Sequence, residues 1–190
     1  MYRQGNVAGA VAELDGVATD RRDERFYGLR AALLLTVGRV GGARRDIDLA
    51  LRMEPGDAVA ISLLSVIALV KNDKELALRL ARQAVEFDPQ GPVAHIALSY
   101  AYQSDFHLAK ALARVRAAIR LAPQNALAWA RLAELRLSRG DGHRAMAAAR
   151  KAVALDPRIA RTQTVLGFAR LGQTQVKAAE GTFERAIELV

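Results

Sequence analysis

Residues 126–159 read ALAWARLAELRLSRGDGHRAMAAARKAVALDPRI, and the proline near the end of this stretch, Pro157, belongs to a series that decides the fold. Pro55, Pro89 and Pro123 precede it at constant intervals of 34 residues. Proline clashes with the preceding helical turn and disfavours helix at the residue before it, so each of these prolines ends a helical segment. A constant interval of this length indicates a repeat architecture, in which each unit is one small supersecondary structure.

The interval divides the chain into five repeats when the proline is numbered position 32. Positions 20 and 27 are then alanine in every repeat, and position 8 is always small. Small residues at fixed places let two helices approach closely, whereas a larger side chain would overpack the contact. Repeats 1 to 5 are residues 24–57, 58–91, 92–125, 126–159 and 160–190, and residues 1–23 contain the second helix of a truncated preceding repeat. The small-residue positions are Ala43, Ala77, Ala111, Ala145 and Ala179 (position 20), Ala50, Ala84, Ala118, Ala152 and Ala186 (position 27), and Ala31, Ser65, Ser99, Ala133 and Gly167 (position 8).

These residues resemble the tetratricopeptide repeat, and the resemblance spans residues 24–190. It implies an all-α fold, a right-handed α-solenoid of antiparallel helix pairs, with helix A at positions 1–14 and helix B at about 16–31. One helix pair cannot bury its own apolar face, so stacking of successive pairs forms the core. The best matches are Trp129, Leu132, Ala133, Gly140, Asp141, Ala145, Ala152 and Pro157 in repeat 4, and Leu166, Gly167, Ala179, Phe183 and Ala186 in repeat 5.

Several packing positions depart from the family pattern. Position 7 of repeat 1 is Arg30 instead of leucine, and position 11 is arginine in the last two repeats, at Arg136 and Arg170. Position 4, a bulky residue in the family, is His95 in repeat 3 and Gln163 in repeat 5. We expect the helix pairs to form, with looser or partly solvated packing at these positions.

The sequence contains no constellation that would carry catalysis or hold a cofactor. It has no cysteine, which excludes disulfides and thiolate ligands. His95, His107 and His143 lack the spacing of metal ligands, and the glycine-rich residues 38–42 lack the lysine and hydroxyl residue of a phosphate-binding loop. The apolar residues 58–70 are too few for a bilayer span, which needs about 20. We therefore expect no enzyme activity, no cofactor, no metal and no membrane span.

In tetratricopeptide repeat proteins, positions 2, 5, 9 and 12 of helix A face a concave groove, and the resemblance implies such a groove here. It would be mostly apolar, and exposed apolar patches mark interaction sites. The predicted function is a non-enzymatic scaffold that binds a peptide or helix of a protein partner. Tyr100 and Phe168 would be apolar anchors. Arg161 and Glu134 would orient a charged ligand group, and Gln103 would bond to ligand backbone. The predicted groove residues are Val66, Leu69, Ile96, Tyr100, Gln103, Glu134, Leu137, Arg161 and Phe168.

The carboxylate clamp of chaperone-binding family members is absent. That clamp requires lysine at position 5 and asparagine at position 9, together with asparagine, lysine and arginine at positions 2 and 6 of neighbouring repeats. Position 5 is Gly28, Ser62, Ile96, Ala130 and Thr164, and position 9 is Ala32, Val66, Tyr100, Glu134 and Phe168. We therefore expect no binding of a free acidic C-terminal tail.

Other interpretations stay open at this point. In one interpretation, neighbouring helices of a tightly wound array cover the groove residues. In another, the array is a self-assembling structural module. The net charge is +8, of which +7 lies in residues 92–159, mostly on helix B or in turns. That charge is typical of a solvated face, but it would also suit an acidic protein or a polyanion such as nucleic acid. Nucleic acid is the weaker candidate, because no aromatic side chains lie among the basic residues to stack on bases.

The ends and the source of the chain allow only general expectations. The chain starts within a helix B and stops at Val190, position 31, which suggests a fragment of a longer protein or ends covered by another copy in a homo-oligomer. The N-terminus lacks the apolar segment of a signal peptide, so either the cytoplasm or a bacterial cell envelope fits. Arginine supplies 23 of the 28 basic residues, a bias typical of GC-rich genomes that indicates a bacterial source.

Overall fold

The structure of the chain, a computed structural model, describes residues 7–18 and 22–189. Within these residues every regular element is an α-helix, which confirms the predicted all-α fold. Helix α1 lies within residues 1–23, the predicted leading segment, of which residues 1–6 and 19–21, like Val190 of repeat 5, lie outside the described residues. The helices are α1 (Val7–Asp15), α2 (Glu24–Thr36), α3 (Val40–Met53), α4 (Ala58–Val70), α5 (Lys74–Phe87), α6 (Pro92–Ser104), α7 (Leu108–Leu121), α8 (Ala126–Ser138), α9 (Gly142–Leu155), α10 (Ala160–Leu171) and α11 (Val176–Glu188).

Helices A and B of one repeat follow each other directly and pack together, as in the pairs α2–α3, α4–α5, α8–α9 and α10–α11. The chain forms two compact blocks, an N-terminal block from Val7 to Arg114 and a C-terminal block that begins at Val115. In the N-terminal block, α1 to α4 share one apolar core, to which Val11, Leu34 and Ile47 contribute. In the C-terminal block, α10 packs on both α8 and α9.

Polar caps fix where many of the helices begin. Asp23, Asp57 and Asn125, each at position 34, accept hydrogen bonds from backbone N–H groups in the first turn of the following helix A. Asp73 and Asp141, at position 16, do the same for helix B. Each such cap stabilises its helix by about 1 kcal/mol, because the first backbone donors of a helix have no partner within it. Helix α6 has no side-chain cap and starts with Pro92, a residue suited to the first helical position.

The turn between helices A and B uses the left-handed backbone conformation at position 15 of every repeat. Gly38 and Gly140 have φ of 74°, and Asn72, Phe106 and Thr174 have φ between 56° and 60°. This conformation ends helix A and lets the chain reverse within a few residues. Glycine adopts it without cost, whereas the Cβ of Phe106 makes it unfavourable.

The small residues of the pattern lie at the helix contacts, as predicted. All ten alanines at positions 20 and 27 are buried, nine of them with no exposed area and Ala186 with 7%. Position 8 is buried in every repeat as well. At Gly167 a Cβ atom would lie 2.5 Å from the ring of Phe183, so α10 and α11 approach too closely there for any side chain.

At position 7 of repeat 1, the charge of Arg30 is balanced by a buried carboxylate. The Nε and Nη2 atoms of Arg30 donate to the two carboxylate oxygens of Asp46, both at 2.7 Å, and Asp46 is almost completely buried in α3. Arg30 Nη1 also lies 3.1 Å from the carboxylate of Asp15. Hydrogen bonding to Asp46 raises the pKa of Arg30 above its ordinary value, against the lowering effect of burial. The arginine is therefore held in place by charge pairing where the family uses an apolar contact.

The expectation of loose or solvated packing is wrong at position 4. His95 and Gln163 are buried, and each places a side-chain nitrogen on the carbonyl oxygen of the preceding position-32 proline. His95 Nε2 lies 3.0 Å from the oxygen of Pro89, and Gln163 Nε2 donates to the oxygen of Pro157 at 2.7 Å. Because a carbonyl oxygen only accepts, Nε2 of His95 carries the proton.

At position 11 the predicted partial solvation is confirmed, since Arg136 and Arg170 are half-buried. Both donate from Nη1 to a carbonyl oxygen at position 19 of the same repeat, that of Arg144 at 2.9 Å and that of Ala178 at 2.7 Å. Burial lowers the pKa of Arg136 from its ordinary value, and the positive charges of Arg116 and Arg144 add to this effect against the opposing influence of Asp141. These arginines tie helix A to the first turns of helix B.

Candidate protein-binding groove

In the N-terminal block, the predicted groove residues lie on α4 and α6 and are only partly covered. Val66 and Leu69 of α4 are half-buried, and so are Ile96, Tyr100 and Gln103 of α6. The position-2 residues of the same helices are more accessible, at 41% exposed for Val59 and 38% for Val93. Helices α4 and α6 therefore present partly exposed side chains at positions 2, 9 and 12, and all of these are apolar or aromatic except Gln103.

In the C-terminal block, the predicted groove residues lie on α8 and α10. Glu134 and Leu137 are half-buried, whereas Arg161 and Phe168 are exposed, Phe168 by 53% of its residue surface. Phe168 is nevertheless held on one side, because its ring packs edge to face against that of Phe183 with centroids 5.2 Å apart. A held ring with about half of its surface open is well suited to contact a ligand.

Position 5 contributes less to the accessible face than the other three positions. Gly28, Ser62 and Ala130 are buried at this position, and the hydroxyl of Ser62 donates to the carbonyl oxygen of Ala58 at 2.6 Å within its own helix. Ile96 and Thr164 are half-buried. A ligand along helix A would therefore contact positions 2, 9 and 12 chiefly, with position 5 accessible only in repeats 3 and 5.

Three of the predicted residues come together around one open pocket of about 460 Å³ in the C-terminal block. Its wall consists of Glu134, Arg161 and Phe168 with Thr164 and Val165. The apolar side is formed by Phe168 and Val165, and the polar side by the ion pair of Glu134 with Arg161. A pocket with an apolar wall and a few placed polar groups is the usual form of a binding site.

The polar side of this pocket is an ion-pair network that the sequence did not reveal. Glu134 Oε1 accepts from Arg161 Nε at 2.8 Å, and Glu134 Oε2 accepts from Arg131 Nη1 at 2.9 Å. Burial raises the pKa of Glu134, but the charges and hydrogen bonds of the two arginines outweigh this, so that its pKa lies below the ordinary value. The side chain of Arg131 is only 2% exposed. Arg131 and Glu134 are three residues apart on one helix, and this spacing could have predicted their ion pair from the sequence.

The network joins two residues for which a ligand-binding role is predicted. Glu134 and Arg161 were predicted to orient a charged group of the ligand, and the structure pairs them with each other across 27 residues of sequence. Arg131 also donates to Glu134, so that two arginines contact one carboxylate. The pair forms part of the wall of the pocket.

No metal centre or membrane span was found in the part of the chain that the structure describes. Residues 7–18 and 22–189 contain no group of three histidine, acidic or cysteine side chains placed to hold a metal ion. Among the helices described, none combines the length and hydropathy needed to cross a bilayer.

Comparison with known proteins agrees with the repeat pattern and the helix pairs. The profile described as the tetratricopeptide repeat matches residues 29–92 and residues 96–158, which together are well over half of the chain. The chain belongs to the tetratricopeptide repeat family. Proteins of this family generally mediate protein–protein interactions and are typically non-enzymatic scaffolds. No curated protein matches this tetratricopeptide repeat chain in sequence.

Solved structures with the same fold include bacterial and larger multi-subunit examples. A thermophilic tetratricopeptide repeat protein of Thermus thermophilus is 21% identical, with 88% of this chain and 91% of that chain covered and a TM-score of 0.74. MamA is 22% identical, with 84% and 93% covered and a TM-score of 0.55. A chain of the Cut9–Hcn1 hetero-tetramer of the APC/C is 19% identical, with 99% and 36% covered and a TM-score of 0.76. These neighbours confirm an all-α solenoid of helix pairs.

Proposed function

We propose that this tetratricopeptide repeat chain is a non-enzymatic scaffold that holds a peptide or a helix of a protein partner against its A helices. The observation that carries the proposal is the pocket at Phe168, where a half-exposed phenyl ring lies beside a formed ion pair. Phe168 would bury its open face against an apolar side chain of the partner. The polar wall would contact backbone or polar groups of the same segment.

The same kind of surface on α4 and α6 supports this proposal independently. Val59, Val66 and Leu69 present apolar surface from α4, and Val93 and Ile96 do so from α6. An amphipathic helix or an extended apolar peptide is bound by such surfaces through burial of its side chains, at about 25 cal/mol for each Å² removed from water. Tyr100 would act in the N-terminal block as Phe168 does in the C-terminal block.

The experiment compares two phenylalanines with equal exposure. Phe87, at the end of α5, is 53% exposed, as is Phe168, but it lies on a helix B. Partners captured from a bacterial lysate by the wild-type chain would be identified, and binding of each purified partner would then be measured by calorimetry. Phe168→Ala should weaken binding about 30-fold, because burial of a phenylalanine side chain contributes about 2 kcal/mol. Phe87→Ala should leave the affinity unchanged.

Two outcomes would contradict the proposal. Equal loss of affinity in both variants would show that the effect is not specific to the groove. Full affinity in Phe168→Ala combined with Tyr100→Ala would place the partner elsewhere on the chain. Capture of the chain itself, measured as a concentration-dependent mass in light scattering, would favour the self-assembling module instead.

A further inference from the structure

A second pocket, of about 360 Å³, lies in the C-terminal block between α9, α10 and α11, and it shares no lining residue with the groove pocket. Three cationic side chains line it, Arg170 from α10 and Lys177 and Arg185 from α11. No acidic residue is part of its wall. All charged side chains in the wall of this pocket are therefore positive.

The three cations have no carboxylate partner in the part of the chain that the structure describes. Arg30, Arg131 and Arg161 each contact an acidic side chain within 3.1 Å, whereas no ion pair involves Arg170, Lys177 or Arg185. Three like charges around one pocket repel one another, and an anion bound there would relieve that repulsion. Lys177 also lies in the first turn of α11, where the helix dipole adds positive potential.

Arg170 is held in a fixed orientation at this pocket. Its Nη1 atom donates to the carbonyl oxygen of Ala178 at 2.7 Å and to the hydroxyl of Thr182. The structure contains no hydrogen bond from its Nε or Nη2 atoms within the described residues. A guanidinium fixed at one edge offers its other donors in a planar fork, a geometry that suits the oxygens of a phosphate or carboxylate group.

Packing within the described residues does not explain why residue 181 is a glycine. It lies in the middle of α11, where glycine disfavours helix, yet a Cβ atom at this position would meet no heavy atom within 4 Å. Its φ is not positive, so the backbone does not require glycine either. Lys177 and Arg185 lie one turn before and one turn after Gly181 on the same face of α11, and the missing side chain leaves the pocket open between them.

From the cation cluster and the glycine together, we infer that this pocket binds the phosphate group of a small phosphorylated molecule. A phosphate monoester carries a charge of about −1.5 to −2 at neutral pH and three acceptor oxygens, so it compensates three cations better than one carboxylate does. The site is independent of the groove, so this inference does not rest on the proposed protein-binding function.

The experiment uses the whole chain and inorganic phosphate as the probe. Calorimetric titrations in a phosphate-free buffer, at ionic strength kept constant with sodium chloride, would measure phosphate, O-phosphoserine and succinate. Lys177→Gln combined with Arg185→Gln removes two exposed cations whose side chains make no hydrogen bond or ion pair within the described residues, while Arg170 stays in place. Gly181→Leu fills the pocket without a change of charge, and Ala147→Leu is its control, because Ala147 is exposed at the same repeat position of α9.

The expected result is saturable binding of one phosphate or phosphoserine, weakened at least tenfold in the double glutamine variant and in Gly181→Leu and unchanged in Ala147→Leu. Circular dichroism melting of each variant would show that the fold is retained. The inference is wrong if wild-type protein shows no saturable binding of phosphate or phosphoserine, if the double glutamine variant binds as well as wild type, or if Ala147→Leu loses as much affinity as Gly181→Leu. Tighter binding of succinate than of phosphate would overturn the assignment to a phosphate group.

Discussion

Removal of either partner of the Arg30–Asp46 ion pair should destabilise the fold, and the two single variants should differ. The side chain of Asp46 is 3% exposed, and within the described residues its hydrogen bonds and its ion pair are with Arg30, so Arg30→Leu leaves a buried charge without a partner. Such a change costs about 3–5 kcal/mol. In Asp46→Ala the arginine, 16% exposed, keeps Asp15 at 3.1 Å. We therefore expect a smaller loss there, of about 2 kcal/mol, the usual cost of leaving a hydrogen-bonding group without its partner.

Urea unfolding followed by far-UV circular dichroism would measure both losses. The double variant Arg30→Leu with Asp46→Ala should lie within about 1 kcal/mol of wild type, because it removes both charges and places the family's leucine at position 7. The reasoning fails if Asp46→Ala is the more destabilising variant, or if the double variant is no more stable than Arg30→Leu.

Three further predictions concern single positions. Gly167→Ala should lower the free energy of unfolding by about 1–3 kcal/mol, since the added Cβ would lie 2.5 Å from the ring of Phe183. A melting temperature equal to that of wild type would refute the close approach of α10 and α11. Phe106→Gly should stabilise the chain by about 1 kcal/mol in urea unfolding, because the phenylalanine has φ of 56° and is 85% exposed. A loss of stability would show that the contacts of the phenyl ring stabilise the fold by more than the left-handed backbone destabilises it. Glu134→Gln should be less stable than wild type at neutral pH. Because the pKa of Glu134 is lowered in the fold, the wild-type advantage should disappear as the pH falls below about 4.5, and thermal melts against pH would detect it.

The repeat and its core were predictable because they depend on residue types with few substitutes. Only proline stops a helix so strongly, which made the interval from Pro55 to Pro157 visible. The alanine positions were equally clear, since any larger residue at Ala43 or Ala50 would force the paired helices apart. The all-α fold and the helix pairs followed from these positions without any knowledge of the polar residues.

The polar contacts were not predictable, because their partners are distant in sequence or have no fixed residue type. Arg30 departs from the family pattern, and nothing in its own repeat marks Asp46, 16 residues later, as its partner. Glu134 and Arg161 were both predicted to face the groove, but the distance between positions 9 and 2 of adjacent repeats is not visible in the sequence. The predicted groove residues therefore stay a prediction as a set, although three of those in the C-terminal block share one pocket.

Position 4 shows why a family pattern based on side-chain size misses a constraint. Trp129, His95 and Gln163 differ in volume and polarity, yet each places a side-chain nitrogen within 3.0 Å of the carbonyl oxygen of the proline six residues earlier. That oxygen lies just beyond the end of helix B, where carbonyl groups lack helical partners. A donor at position 4 therefore joins each helix A to the end of the preceding helix B. In repeats 3 to 5 a side-chain N–H group at this position reaches the carbonyl oxygen of the proline. Histidine and glutamine both supply that group where the family pattern has a bulky residue.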